Sequence, residues 1–189
     1  MSAFGSGKPV VIGWSFGADL ALAYAAAHPD ALAGLVIVDG AVPISALLVE
    51  DERAMRRLLN SFSMKLSALM MQITPFRYAL NGDAIADIAL DVDARRRRLT
   101  DSYKSVRCPV LMLLATRTAG PDNTAHNQRN NQLWRESGER LAGLFPEIQI
   151  KWIDAGHRLP LTKPAELARE IERFVEARAV NPTVSPAMG

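Results

Sequence analysis

The 189-residue chain holds a single cysteine, Cys108, so no disulfide can form within it. That residue precedes Pro109 at the head of an apolar run and is expected to pack as a small hydrophobe. Charge of one sign is also scarce: 22 lysines and arginines stand against 20 acidic residues, a net +2. Aromatics are few and not interleaved with basic residues, so no nucleic-acid partner is expected. Arg95-Arg96-Arg97-Arg98 follows Asp91 and Asp93 and reads as a solvated helix face. His28, Pro29 and Asp30 interrupt the longest apolar region, and nothing in the chain reads as a signal peptide or a membrane partner. Internal repeats and metal-ligand spacings are lacking too, so no cofactor or metal is expected. What remains is 49% apolar, enough for one sizeable core. A soluble, cytoplasmic enzyme domain is the class this balance suggests.

Against that background one stretch stands out. Val10-Val11-Ile12 reads as a buried strand, and Gly13-Trp14-Ser15-Phe16-Gly17 is a G-x-S-x-G turn opening directly into an apolar helix. A serine at so tight a corner adopts a strained backbone, with Gly13 and Gly17 as the small residues that let strand and helix approach. The hydroxyl is thereby exposed to a base, and the Phe16 amide points toward a developing oxyanion. Ser15 is the candidate nucleophile. The helix after it, through Ala27, is apolar nearly all round and is expected to be buried. Leu35-Val36-Ile37-Val38 is a continuous β-branched run and predicts a strand buried on both faces, completing a βαβ unit.

With these motifs the chain resembles the α/β-hydrolase family, in its branch of serine esterases, lactonases, thioesterases and peptidases with helical caps. A second motif supports the likeness. Ile148 to Ile153 alternates like an edge strand and runs into Asp154-Ala155-Gly156-His157, the Gly-His loop that carries the catalytic base in the family. The resemblance covers roughly residues 8 to 178. It implies an α/β fold, the C-terminal portion of a hydrolase with a mostly parallel sheet flanked by helices and a helical cap insertion. Residues 1–42 would hold the elbow strand, helix and next strand, 43–106 the cap, 107–178 the C-terminal core segment and 179–189 a flexible tail.

The other histidines read as structural. His28 ends a helix, and His126 lies among Asn123, Asn127, Asn130 and Asn131 in a polar, loop-like stretch ahead of a helix expected over 132–144. The triad acid is open between two carboxylates. Family members most often place it after the strand read here as Pro109 to Leu114, yet Ala115-Thr116-Arg117-Thr118 holds none, and Asp122 follows only beyond Gly120-Pro121. Asp39, at the end of the strand after the nucleophile helix, matches the alternative acid position of some members and is preferred.

In the cap, Met55, Leu58, Leu59, Phe62, Leu66, Leu69, Met70 and Ile73 recur at helical spacing, with Arg53, Arg56 and Arg57 off the stripe. Met64, Met70 and Met71 could soften an apolar substrate pocket, with Trp14 contributing from the elbow. Pro164 opens a last helix whose buried stripe is expected to be Leu167, Ile171, Phe174 and Val175. The family supplies strands and an oxyanion-donating loop ahead of the elbow, whereas this chain reaches Ser15 almost at once. A truncated hydrolase is therefore expected, with self-association through the exposed elbow-strand edge as one outcome. The function read from the sequence is serine hydrolysis of an ester-like small molecule: a carboxylester, lactone or thioester. The alternative is a catalytically impaired fragment or interaction module.

Overall fold

The computed structural model describes residues 7–44, 52–61, 82–96 and 98–180. The apolar runs form a parallel sheet of β1 (Val10–Trp14), β2 (Gly34–Val38), β3 (Val110–Arg117) and β4 (Gln149–Gly156), side by side in chain order. The helices are α1 (Phe16–Ala27), α2 (Glu52–Leu59), α3 (Gly82–Arg96), α4 (Leu99–Ser105), α5 (Ala125–Leu144), α6 (Leu159–Thr162) and α7 (Pro164–Val180). Two compact units result, Met1–Ser45 with Arg98–Gly189, and Ala46–Arg97.

Each sheet position follows from its residues. β2 is buried at every position, as expected of a central strand covered on both faces. β4 begins with alternating exposure, exposed Gln149 and Lys151 against half-buried Ile150 and Trp152, the pattern of an edge strand. Val36, Val38, Leu111, Leu113, Ala115, Ile153 and Ala155 turn to one face and pack with Leu159, Leu167 and Phe174 of α6 and α7. On the opposite face the Tyr103 hydroxyl of α4 reaches the Met112 sulfur at 3.7 Å, and Gly138 of α5 leaves room for the Trp152 ring, which a Cβ there would meet at 2.8 Å. Burial of each large aliphatic side chain in such layers contributes about 1.5–3 kcal/mol.

Four expectations need correction, the first being that β1 is not a buried strand: it lies at an edge of the described sheet with Ile12 52% exposed. α1 is not buried all round: Ala18, Ala21, Leu22 and Ala25 face the core, while Leu20 is 56% and Tyr24 47% exposed. It lies on β1, a terminal strand of the described sheet, so only its inward face is covered. α5 begins at Ala125, ahead of the predicted start, because the Thr124 hydroxyl accepts the Asn127 amide at 3.1 Å and caps the helix. That cap makes the Asn-rich stretch helical despite its loop-like composition. In α7, Val175 is exposed rather than part of the buried stripe, because Leu167 and Phe174 occupy the contact with the sheet.

Within the second unit, α2 and α3 are joined by polar contacts. Arg56 Nε donates to Glu52 Oε1 at 2.8 Å and Nη2 to Asp87 Oδ1 at 2.6 Å, while Asn60 Nδ2 donates to Asp83 Oδ1 at 2.8 Å. The Asp87 and Glu52 carboxylates hold the Arg56 guanidinium further above its ordinary range. The side chains of Met55 and Leu58, and all of residues 62–81 and 181–189, lie outside the described residues. The expected apolar stripe and its methionines fall largely there.

Candidate active site

β1 ends at Trp14 and α1 starts at Phe16, so Ser15 alone turns the chain, at φ 55° and ψ −124°. This is a conformation L residues avoid, and it persists because its surroundings over-determine it. The Ser15 amide donates to the Val38 carbonyl at 3.0 Å, and the Ser15 carbonyl accepts the Ala18 amide at 3.0 Å. A Cβ at Gly13 would stand 2.3 Å from the Gly17 carbonyl oxygen, so Gly13 is required for the close approach. Gly17 is not, since a Cβ there meets open space. The second indispensable glycine is Gly40, where a Cβ would lie 2.4 Å from the Ser15 carbonyl oxygen.

Asp39 follows β2 at φ 42°, its amide donating to the Leu113 carbonyl at 2.9 Å. Its carboxylate is fully buried and accepts at both oxygens. Ala115 N–H donates to Oδ1 at 2.8 Å, and the Thr118 hydroxyl donates to Oδ2 at 2.8 Å. His157, just past β4, brings Nδ1 to 2.7 Å from the same Oδ2 and Nε2 to 2.8 Å from Ser15 Oγ. A carboxylate can only accept, so Nδ1 carries the proton toward Asp39 and Nε2 is left to accept from the serine. Phe16 opens α1, where first-turn amides have no acceptor within the helix. A chain of hydrogen bonds thus runs from Ser15 through His157 to a buried carboxylate.

The remaining expected site residues lie elsewhere. Asp122 Oδ1 accepts from Asn131 Nδ2 at 2.7 Å, and its carbonyl accepts from Gln128 Nε2 at 2.8 Å, so it belongs to the loop before α5 and not to His157. Trp14 is half-exposed, and its indole N–H donates to the His157 carbonyl at 3.0 Å, with the two rings 5.6 Å apart. It therefore holds the histidine's backbone, whatever else it touches. Met70 lies outside the described residues. His28 closes α1 with its ring against Tyr24, and His126 Nε2 lies 3.1 Å from Asn130 Nδ2. Local spacing does not single out Thr118 or Gly40 for the site, since their contacts join segments that come together only when the sheet forms.

Toward the start of β4, side chains tie the strand to α7. Lys151 of β4 donates to Glu170 of α7, which also accepts from Arg173 at 2.9 Å. The Lys151 hydrogen bond holds the Glu170 carboxyl below its usual range, against the opposing effect of partial burial. Among the described residues, no group of three or more His, Cys, Asp or Glu side chains could hold a metal ion. No helix there is long and apolar enough to cross a membrane.

Solved structures share this architecture. A presumed aryl esterase from Burkholderia cenocepacia superposes with a TM-score of 0.58 at 21% identity, covering 92% of this chain and 66% of its own. NosK from Streptomyces actuosus gives 0.57 at 21%, covering 90% and 70%. The Paleococcus ferrophilus monoacylglycerol lipase gives 0.55 at 19%, covering 88% and 67%. The chain thus spans about two thirds of the length of these structures. No curated protein matches it closely enough to be reported. The model of the alpha/beta hydrolase family matches residues 2–170, a range that contains Ser15, Asp39 and His157, and the chain belongs to that family.

Proposed function

We propose that the chain is a serine hydrolase acting on ester-like carbonyls, carboxylesters, lactones or thioesters, through an acyl-enzyme. The observation that supports this reading is the unbroken Ser15 Oγ, His157, Asp39 chain, with contacts of 2.8 and 2.7 Å. His157 Nε2 takes the Ser15 proton as Oγ attacks the carbonyl carbon, and the Phe16 amide donates to the oxyanion that forms. The imidazolium, steadied by Asp39, returns its proton to the leaving group as the tetrahedral intermediate collapses. Water then attacks the acyl-serine with His157 again as base, releasing the acid and restoring the serine. The aryl esterase and monoacylglycerol lipase among similar structures favour carboxylesters within this class. A serine at the elbow disfavours alkyl-enzyme chemistry, which in this family needs an aspartate there.

Intact mass after treatment with a fluorophosphonate tests the reading without a guess at substrate. The expected result is a single adduct on the native chain and none on Ser15→Ala or His157→Ala. A folded native chain that takes no adduct would overturn it and leave the interaction-module reading in its place.

A further inference from the structure

The loop between β3 and α5 is fastened by side-chain amides at a density that its position alone does not require. Ala119 N–H donates to Asn131 Oδ1 at 2.8 Å, and Asn131 Nδ2 donates to the Gly120 carbonyl at 2.8 Å and to Asp122 Oδ1 at 2.7 Å. Asn127 Nδ2 reaches the Pro121 carbonyl at 2.8 Å, and Gln128 Nε2 the Asp122 carbonyl at 2.8 Å. Asn131 is completely buried. A buried primary amide is costly unless its donors and acceptor are engaged, and here loop residues engage them. Asn127, Gln128 and Asn131 share one face of α5, at the three- and four-residue spacing of helical neighbours.

At the head of that loop sits Thr118. Its hydroxyl donates to Asp39 Oδ2 at 2.8 Å and lies 3.4 Å from His157 Nδ1. The same carboxylate oxygen faces His157 Nδ1 at 2.7 Å, so two donors converge on one atom. The Ala115 amide fixes the other oxygen at 2.8 Å. A carboxylate held only at Oδ1 could rotate about its Cβ–Cγ bond and carry Oδ2 out of line with the imidazole. A second, fixed donor on Oδ2 closes off that rotation.

We infer that Thr118 is a positioning residue, clamped by Asn131 of α5, that locks the Asp39 carboxylate in the rotamer facing His157 Nδ1. The inference rests on the proposed triad for its catalytic meaning, but its physical content concerns the Asp39–His157 pair alone. Thr118→Val keeps shape and removes the donor, Thr118→Ala removes it with less bulk, and Thr118→Ser restores it.

Proton NMR of the nitrogen-15-labelled chain provides a test that needs no substrate. The hydrogen-bonded Nδ1 proton of His157, assigned by its loss in His157→Gln, is expected far downfield in the native chain and in Thr118→Ser. It should move upfield or exchange away in Thr118→Val and Thr118→Ala, with circular dichroism reporting that each is folded. Fluorophosphonate labelling should slow about tenfold in Thr118→Val, the effect of losing one hydrogen bond to a charged group. An unchanged downfield proton in a folded Thr118→Val or Thr118→Ala variant overturns the inference, as does its absence from the native chain. A native chain that shows the proton but takes no label would instead count against the proposed function and leave the positioning role intact.

Discussion

Ser15 keeps its left-handed backbone because glycines at 13 and 40 hold two Cβ atoms out of its surroundings. Gly40→Ala should therefore be worse than an ordinary surface change. Its Cβ would press on the Ser15 carbonyl from 2.4 Å, with backbone rather than a flexible side chain having to yield. A loss of about 1–3 kcal/mol is expected from this overpacking, read as a lower midpoint in urea, with slower labelling of Ser15. Gly17→Ala, with open space at its Cβ, should change neither. Asp39→Asn should lower kcat by about 10⁴-fold, the effect of presenting the wrong histidine tautomer to the serine, with an ester hydrolysis assay as the check. At this scale Ser15 and His157, which the structure brings to 2.8 Å of each other, were legible as candidates because each is marked by its immediate neighbours. Between Asp39 and Asp122 the sequence offered only a preference for Asp39, drawn from the family resemblance. What separates them is the pairing of β2 with β3, which brings the Ala115 amide to Asp39, and the hold of Asn131 on Asp122. Neither contact leaves a trace in local spacing.

The elements show where local chemistry overrides composition. The Asn-rich segment 123–131 looks like a loop because Asn and Asp favour turns, yet a single threonine cap lets it join α5. Thr124→Ala should cost about 1 kcal/mol and lower the thermal midpoint by about 2–4 °C. Since α5 carries Asn131, hydrogen exchange at residues 119–122 should quicken in the same variant. The pairing of β4 with α7 has its own pH signature. The Glu170 carboxyl is held below its unfolded value by Lys151, so its stabilising effect is complete above that unfolded value and fades as pH falls through the folded one. Glu170→Gln should remove this component, and acid unfolding followed by circular dichroism should show a shallower loss of stability below about pH 4.3, the ordinary glutamate range. The strands were legible from β-branched runs and alternation, but such a run does not by itself report burial: β2 is buried throughout, whereas β1, at an edge of the described sheet, leaves Ile12 exposed. The helices were less so, since their apolar faces say nothing of how many sides a neighbour will cover.

For the whole molecule the main tension lies along β1 and α1. Ile12, Trp14, Phe16, Leu20 and Tyr24 are all at least 40% exposed, an apolar strip beside Ser15. Surfaces of this kind promote association, so light scattering of the purified chain should rise with concentration. Leu20→Lys should reduce that rise while leaving labelling of Ser15 intact.

His157 lies 142 residues after Ser15 and 118 after Asp39. During synthesis Ser15 and Asp39 emerge well before His157, so on the proposed reading the hydroxyl gains its base only once β4 has paired with β3. On that reading the partly made chain is a reagent with its safety catch on, its serine still without an activating base. The rate at which a refolding chain becomes reactive toward a fluorophosphonate is then expected to clock the arrival of β4, making the site a built-in timer for that pairing.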